Sequence, residues 1–475
     1  MTVSTQPLTR PETQPAIRQP IQAAAAPVRP RALLAVLSLA GTSFAMMQAL
    51  VIPALPKIQA GLGTNADGAA WISTAYLLSA SVLTPVIGRL GDTIGKKRMM
   101  MASLIAFAAG TLVCARAANL PELVAGRVVQ GAAGGIYPLA FAIIRERLPR
   151  ERVPASIGLV SSLLGIGGGL GLVLPGPVMQ HLSYRWLFWL SLIVIAATNV
   201  LAARYIPADK PAAGARSRIP SRSSLLMALG LSAILIAVSA HWDGTRTPAL
   251  LALGAAALAA WVRSELRSQH PLVNMSLMRL RGVWTANAGA MLLGIGMYAS
   301  FIIIPEFVQA PGKLGYGFGA SVTAAGLFMF PTAGVQLLLG PASGFLHRRF
   351  GPRAELIAGQ AACAAGFAFL AVWHSAPWQV YLATATMGIG FCLCLIALPN
   401  QVVSAVPQDQ TGSATAVNTV VRNVGGALGG QLAAALIVAS ARGGLPAASG
   451  YVEALVFCAG ATALGAITAI AAPRT

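Results

Sequence analysis

The chain has 475 residues, 56% of them hydrophobic and only 10% charged, with a mean hydropathy of +0.71 and a formal net charge of +20. A soluble domain carries about 25% charged residues, so this composition excludes an ordinary soluble enzyme. The 33 Lys and Arg are scattered singly between apolar runs rather than massed in one patch, which excludes a nucleic-acid binder.

Residues 1–30 are rich in Pro, Gln, Ala and Arg. They cannot bury a core and are expected to be disordered. The polar lead is long, and the first apolar run has no small-residue cleavage pattern, so no signal peptide is expected. Beyond it, apolar runs of about 20 residues recur, each long enough to cross a hydrocarbon core of about 30 Å. They lack the two-residue alternation of barrel strands. The fold class is therefore an all-α polytopic membrane protein.

Six spans form a first half, residues 31–203: Leu33–Leu55, Ala69–Ile87, Met99–Ala117, Leu123–Ile143, Ala155–Val178 and Trp186–Ala203. Residues 204–282 are a linker region. It holds a polar stretch to Ser224, two extra helices (Leu225–Ala240 and Pro248–Val262) and a basic stretch, Arg263–Gly282. In that stretch Leu272, Met275, Leu277, Met278 and Leu280 have the spacing of an amphipathic helix lying on the membrane surface. Six more spans form a second half, residues 283–475: Val283–Ile304, Ser321–Leu346, Ala354–Trp373, Val380–Val403, Ala414–Ser440 and Tyr451–Ala471. The total is about 14, as 6+2+6. An even number puts both termini on one side, and the excess of Lys and Arg in the loops of that side places it in the cytoplasm of a multi-pass cell-membrane protein.

One loop stands out. Gly88 to Arg98 reads GRLGDTIGKKR, packing glycines, Asp92 and four basic residues between two apolar runs. A weaker copy follows a later apolar run, Gly344 to Arg353, GFLHRRFGPR, in which Gly344, Leu346 and Gly351 match Gly88, Leu90 and Gly95, and Arg348 stands opposite Asp92. The first loop resembles the signature G-x-L-x-D-x-x-G-[RK]-[RK] of the major facilitator superfamily. The resemblance implies the major facilitator fold. It also implies that Gly88, Asp92, Gly95, Lys96, Lys97 and Arg98 latch the two halves on the cytoplasmic side and gate their movement. Lys and Arg alone would equally set topology. Two parallel six-helix halves place a substrate site near the midplane between them.

Arg127, Gln130 and Gly131 share one helix face. A cation inside a span costs roughly 2.5–3.5 kcal/mol on insertion scales and faces a cavity or a partner. The stretch GRVVQGAAGG resembles the superfamily's fourth-helix motif, whose arginine is linked to proton coupling. Farther on, Gly165, Gly169 and Gly171 are spaced for close backbone approach, and Pro175, Gly176 and Pro177 end or kink their helix. This resembles a degraded fifth-helix antiporter motif. Asn418, Arg422, Gly425, Gly426 and Gly429 line one face of the penultimate span. The segments QTGSATAVNTVVRNVGGALGG and HPLVNMSLMRL resemble the fourteen-helix drug:proton antiporter group.

Acids are scarce, 13 in all. Many relatives carry one in the first helix where Met46 and Met47 stand here. That moves attention to Glu306, at the outer end of the ninth span, as a proton carrier, alongside Arg127 and Arg422 as coupling residues. Trp71, Tyr76, Gln130, Phe301, Asn400, Gln401 and Asn418 are expected in the cavity. The five cysteines all fall in apolar runs and read as small buried hydrophobes without a metal site. No HExxH, GxSxG or P-loop spacing is present. The expected function is proton-coupled efflux of drug-like or metabolite molecules, or import or uniport on the same fold. The expected partners are a small molecule, a proton and the bilayer, with the chain acting as a monomer without cofactor.

Overall fold

A computed structural model describes residues 29–64, 66–208, 221–239, 245–268, 271–312, 316–441 and 446–473. Of the lead expected to be disordered, residues 1–30, the first 28 lie outside them, as does the core of the polar linker, 209–220, whereas Pro30 opens the first helix. Every regular element among the described residues is helical. The first half contains α1 (Pro30–Leu62), α2 (Ala66–Ile94), α3 (Lys96–Arg116) and α4 (Leu120–Gln130), which runs through a 3₁₀ turn into α5 (Ile136–Arg147). It ends with α6 (Val153–Val173), its extension α7 (Pro175–His181) and α8 (Arg185–Tyr205). The inserted pair is α9 (Ser221–Ser239) and α10 (Arg246–Arg267), followed by one turn, α11 (Met275–Met278). The second half contains α12 (Arg281–Gln309), α13 (Val322–Val372), α14 (Pro377–Ala405), α15 (Thr411–Ala439) and α16 (Ala448–Ile470). Thirteen stretches are long and apolar enough to cross a membrane, α13 supplying two, Thr323–Gly340 and Arg349–Val372; α9 adds a shorter apolar helix. With α9 the order is 6+2+6.

The breaks between spans have local causes. Gly95 and Gly351 adopt φ of 130° and 74°, values that only glycine adopts freely. They separate α2 from α3 and the two spans of α13, at equivalent places in the two loop copies. Asn119 caps α4, its Oδ1 accepting the Glu122 N–H at 3.0 Å, with Pro121 in the first turn.

The surface helix expected over the basic stretch does not form. Residues 263–267 continue α10, and between it and α12 only Met275–Met278 is helical among the described residues. Pro271 has no N–H to donate. The carboxylate of Glu265 accepts the Val273 N–H and the Trp261 indole N–H, each at 3.1 Å, and the Ser223 hydroxyl. This draws Leu272 and Val273 into a buried cluster with Met227 and Leu231 of α9 and Val420 of α15. Glu265 thereby knits both inserted helices to the second half.

In hydrocarbon, helices associate by close approach rather than by hydrophobic exclusion. Inside the first half, Gly167 and Gly171 of α6 rest on the carbonyl oxygens of Thr42 and Met46 of α1. Inside the second, Gly425 and Gly429 of α15 rest on those of Met291 and Ile295 of α12. The halves are thus built alike, first helix against fifth, backbone against backbone. Gly171→Val would drive a side chain into a carbonyl that cannot yield. It is expected to destabilise the fold by about 1–3 kcal/mol, read as a lower melting temperature in mild detergent. Gly168→Ala, whose new Cβ meets nothing within 4 Å, should leave it unchanged or slightly raised.

Candidate functional site

The halves are tied most tightly at the face that carries Gly95, here the loop face. The Asp92 carboxylate reaches from the end of α2 to the start of α15, accepting the Gly412 N–H at 3.1 Å and the Ser413 N–H at 2.8 Å. It supplies from another helix the cap that Gln410 does not make for α15, and a negative charge suits that helix end. Gly88 lies directly against the Gly412 carbonyl oxygen. Arg145, at the end of α5, adds hydrogen bonds to the Val406 oxygen (2.7 Å), the Pro407 oxygen (3.2 Å) and Thr411 Oγ1 (2.6 Å). Lys96 and Lys97 each reach a first-half partner, Glu146 at 2.9 Å and the Ala203 oxygen at 3.0 Å; Arg98 is exposed. In the second loop copy His347 Nδ1 pairs with Glu355 at 2.9 Å within its own half. The side chain of Arg348 lies outside the described residues.

Between the halves lies a chamber in two parts. The larger part is a void of about 670 Å³, open mouth included, between α1, α6, α12, α13 and α14. Its walls are mainly apolar, with Phe301, Phe391, Met297 and Met329, and its polar groups are Gln48, Tyr298, Thr332 and Gln336. Gln48 Nε2 donates to the Tyr298 hydroxyl at 2.7 Å, and that hydroxyl donates to Asn423 at 3.2 Å, joining the halves at mid-bundle. The smaller part, about 310 Å³, is walled by Tyr137, Ser161, Thr415, Asn418, Thr419 and Arg422 among others. Leu164 and Leu395 line both. Among the described residues, no carboxylate lines either part.

Of the residues expected in the cavity, Phe301 lines the larger part and Asn418 the smaller. The others lie elsewhere. Arg127 is buried inside the first half, donating to the Ile72 oxygen at 3.1 Å and to Gln130 at 2.8 Å, with its guanidinium 4.1 Å from the Tyr76 ring centroid. Gln130 passes the chain on to Thr111 at 2.8 Å. Tyr76 therefore serves this network, while Trp71 is 45% exposed. Asn400 bonds the Pro154 oxygen at 3.3 Å and Gln401 the Thr285 hydroxyl at 2.6 Å. Arg422 is the coupling candidate that reaches the chamber. Glu306 is exposed near the end of α12 and lines neither part. Gly165, Gly169 and Gly176 face Gln336, Ala333 and Thr323, so α6 and α7 run along α13 from one face to the other; Pro175 opens α7. Sequence reasoning missed Gln48, Tyr298, Gln336 and Arg145. The first three are lone polar residues in apolar runs, the one signal available; Arg145 resembles any basic residue at a helix end.

Residues 37–430 match the model of the Major Facilitator Superfamily. A multidrug resistance protein B homolog of Mycobacterium tuberculosis is 32% identical over 396 residues, 80% of this chain and 71% of that protein. The multidrug transporter protein MdtP of Bacillus subtilis is 25% identical over 392 residues, 80% of this chain and 70% of that protein. Among solved structures, the human organic anion transporter MFSD10 aligns with a TM-score of 0.66 at 15% identity, covering 93% of this chain and all of that one. The proton:xylose symporter XylE aligns with 0.66 at 13%, covering 92% and 94%. These two show the fold alone.

With the hydrogen bonds between halves concentrated at the loop face, the chamber should be reached from the opposite face. A cysteine at Gly168, where a side chain points into open space, is expected to react several times faster with an impermeant thiol reagent added at that opposite face. The five native cysteines are buried and should give little background.

Proposed function

The chain belongs to the Major Facilitator Superfamily, and we propose that it exports small amphiphilic molecules from the cell in exchange for protons, by alternating access. The observation that carries this reading is a mainly apolar chamber walled by both halves and sealed by hydrogen bonds at one face. The names of the multidrug relatives support efflux as the direction. The basic loops support a cytoplasmic loop face and cytoplasmic termini, in the plasma or inner membrane. One proton entering down an inside-negative potential of about 100 mV supplies about 2.3 kcal/mol, enough for roughly a fifty-fold gradient.

In this reading Asp92 is the carboxylate that links proton binding to movement. Adding a proton removes the charge that holds the first turn of α15, and the loop face can part; Lys96, Lys97 and Arg98 keep the loop ordered from the first half. Glu306 stands outside the scheme because it is exposed and lines neither void. Asp92→Asn keeps the shape but loses the charge. It should weaken the closed loop face by about 1–2 kcal/mol, about tenfold in population.

The test uses inside-out vesicles with an acidified lumen, to which drug-like compounds are added one at a time while luminal pH is followed. Some compounds should release the proton gradient in the native protein, far less in Asp92→Asn, and undiminished in Glu306→Gln. The second reading, a facilitator or importer, draws on the absence of any carboxylate from the chamber wall. It predicts that labelled substrate equilibrates while no compound moves protons, and that result would retire the antiporter.

A further inference from the structure

The smaller void differs in chemistry from the larger one. Three buried polar atoms have no hydrogen-bond partner there: Arg422 Nε, the Tyr137 hydroxyl and Ser161 Oγ. All three residues wall this one space. Arg422 is only 8% exposed, and among the described residues no hydrogen bond or ion pair is made by its guanidinium. The ionisable groups facing it are phenols, Tyr137 and Tyr298, not carboxylates. Arg127, buried as deeply, has a carbonyl, a glutamine and an aromatic face. A buried cation without an anion is unfavourable, and buried donors are ordinarily satisfied. The donors at this void therefore have an acceptor to gain.

The void adjoins the larger chamber, with the side chains of Leu164 and Leu395 between them. These two residues wall both parts, so one molecule can lie across them. Its body would meet Phe301, Phe391, Met297 and Met329, and its end would meet the unpaired donors of Arg422, Tyr137 and Ser161. We propose that Arg422, Tyr137 and Ser161 receive the anionic head, carboxylate or sulfonate, of an organic acid whose apolar body fills the larger void. This rests on the chamber being the substrate site and names the class of substrate it takes. Charge-assisted hydrogen bonds from a guanidinium to such a head are the strong kind, and their planar fork fits a carboxylate. The first half contributes the two hydroxyls and the second half the cation, so a bound acid joins the halves.

The probe pair is 11-(dansylamino)undecanoic acid and its primary amide, which share one apolar body. Binding is read by dansyl fluorescence with the full chain in nanodiscs of neutral lipid. The native protein should favour the acid by about tenfold or more, since buried donors left unpaired discriminate strongly. Arg422→Gln should abolish the preference while the amide still binds. Tyr137→Phe and Ser161→Ala, which keep size and fold, should each reduce it several-fold. Equal binding of acid and amide by the native protein overturns the assignment but leaves the chamber intact as a substrate site. Binding of neither overturns the chamber reading as well. A third arm replaces chloride with gluconate and adds sulfate or phosphate. If millimolar inorganic anion abolishes the preference, the void is an inorganic-anion site and the assignment fails.

Discussion

Helices in a hydrocarbon solvent are held together by how near their backbones can come, and the distribution of that nearness decides what can move. Within each half the critical glycines lie on carbonyl oxygens, Gly167 and Gly171 on α1, Gly425 and Gly429 on α12. A carbonyl in a hydrogen-bonded helix cannot turn aside. Along the seam between halves, Gly165, Gly169 and Gly176 lie on the side chains of Gln336, Ala333 and Thr323. Gln336 and Thr323 can change rotamer, and a methyl can slide. The tightest exception is at the loop face, where Gly88 meets the Gly412 carbonyl beside the Asp92 hydrogen bonds; Gly326 sits more loosely against the Leu172 carbonyl. Two stiff units, a yielding seam and one stiff end are what a rocking movement requires.

The electrostatics follow the same division. The buried cation inside the first half is paired within it, Arg127 with Ile72 and Gln130, and Gln130 with Thr111, while Glu265 of the inserted pair holds Ser223, Trp261 and Val273. Groups at the junction of halves are those that can exchange partners. The Asp92 carboxylate holds two N–H groups of the opposite half. Gln48, Tyr298 and Asn423 form a chain across the middle. Among the described residues, Arg422 holds no hydrogen-bond or ion-pair partner. A polar group satisfied within its own half resists nothing when the halves part, whereas each junction bond must be broken or replaced. Bonds between helices in membranes average about 0.6 kcal/mol, so a handful of them can set the balance without locking it.

The spans and their 6+2+6 order were legible because hydropathy over about 20 residues reports burial in lipid and little else. The two loop copies were legible because a positive φ demands glycine, and Gly95 and Gly351 keep their places. The surface helix failed because periodicity ignores chain breaks and distant partners. Leu272, Met275 and Met278 have helical spacing, yet Pro271 and the Glu265 carboxylate, eight residues before Val273, decide the path of this stretch. The chamber was largely illegible. Its walls come from seven helices, and an aromatic in an apolar run looks the same facing lipid, core or cavity. Tyr76 and Phe301 differ only in where their helices turn them. The contact of Asp92 with Ser413 spans 321 residues, and nothing in the local sequence of either names the other.

The repeat gives a further reason for the asymmetry of the chamber. Thr42 and Met46 correspond through their glycine contacts to Met291 and Ile295, an offset of 249 residues. The same offset pairs Gln48, Ala49 and Ile52 with Met297, Tyr298 and Phe301, and all six line the larger void. That void therefore sits where the two halves present equivalent surfaces. Gly167 and Gly425 set an offset of 258 for the fifth helices, which pairs Leu164 with Arg422. These two meet across the smaller void. A symmetric carrier would place leucine against leucine or arginine against arginine there; the latter would repel. One arginine facing one leucine leaves a single positive charge on one wall, with Tyr137 and Ser161 hydroxyls on the other. An anion seated between them would bind both halves at mid-bundle, as the carboxylate of Asp92 binds both at the loop face. Occupancy of the centre and closure of the end would then be two uses of one device, an anion shared between halves that otherwise touch through small, yielding side chains.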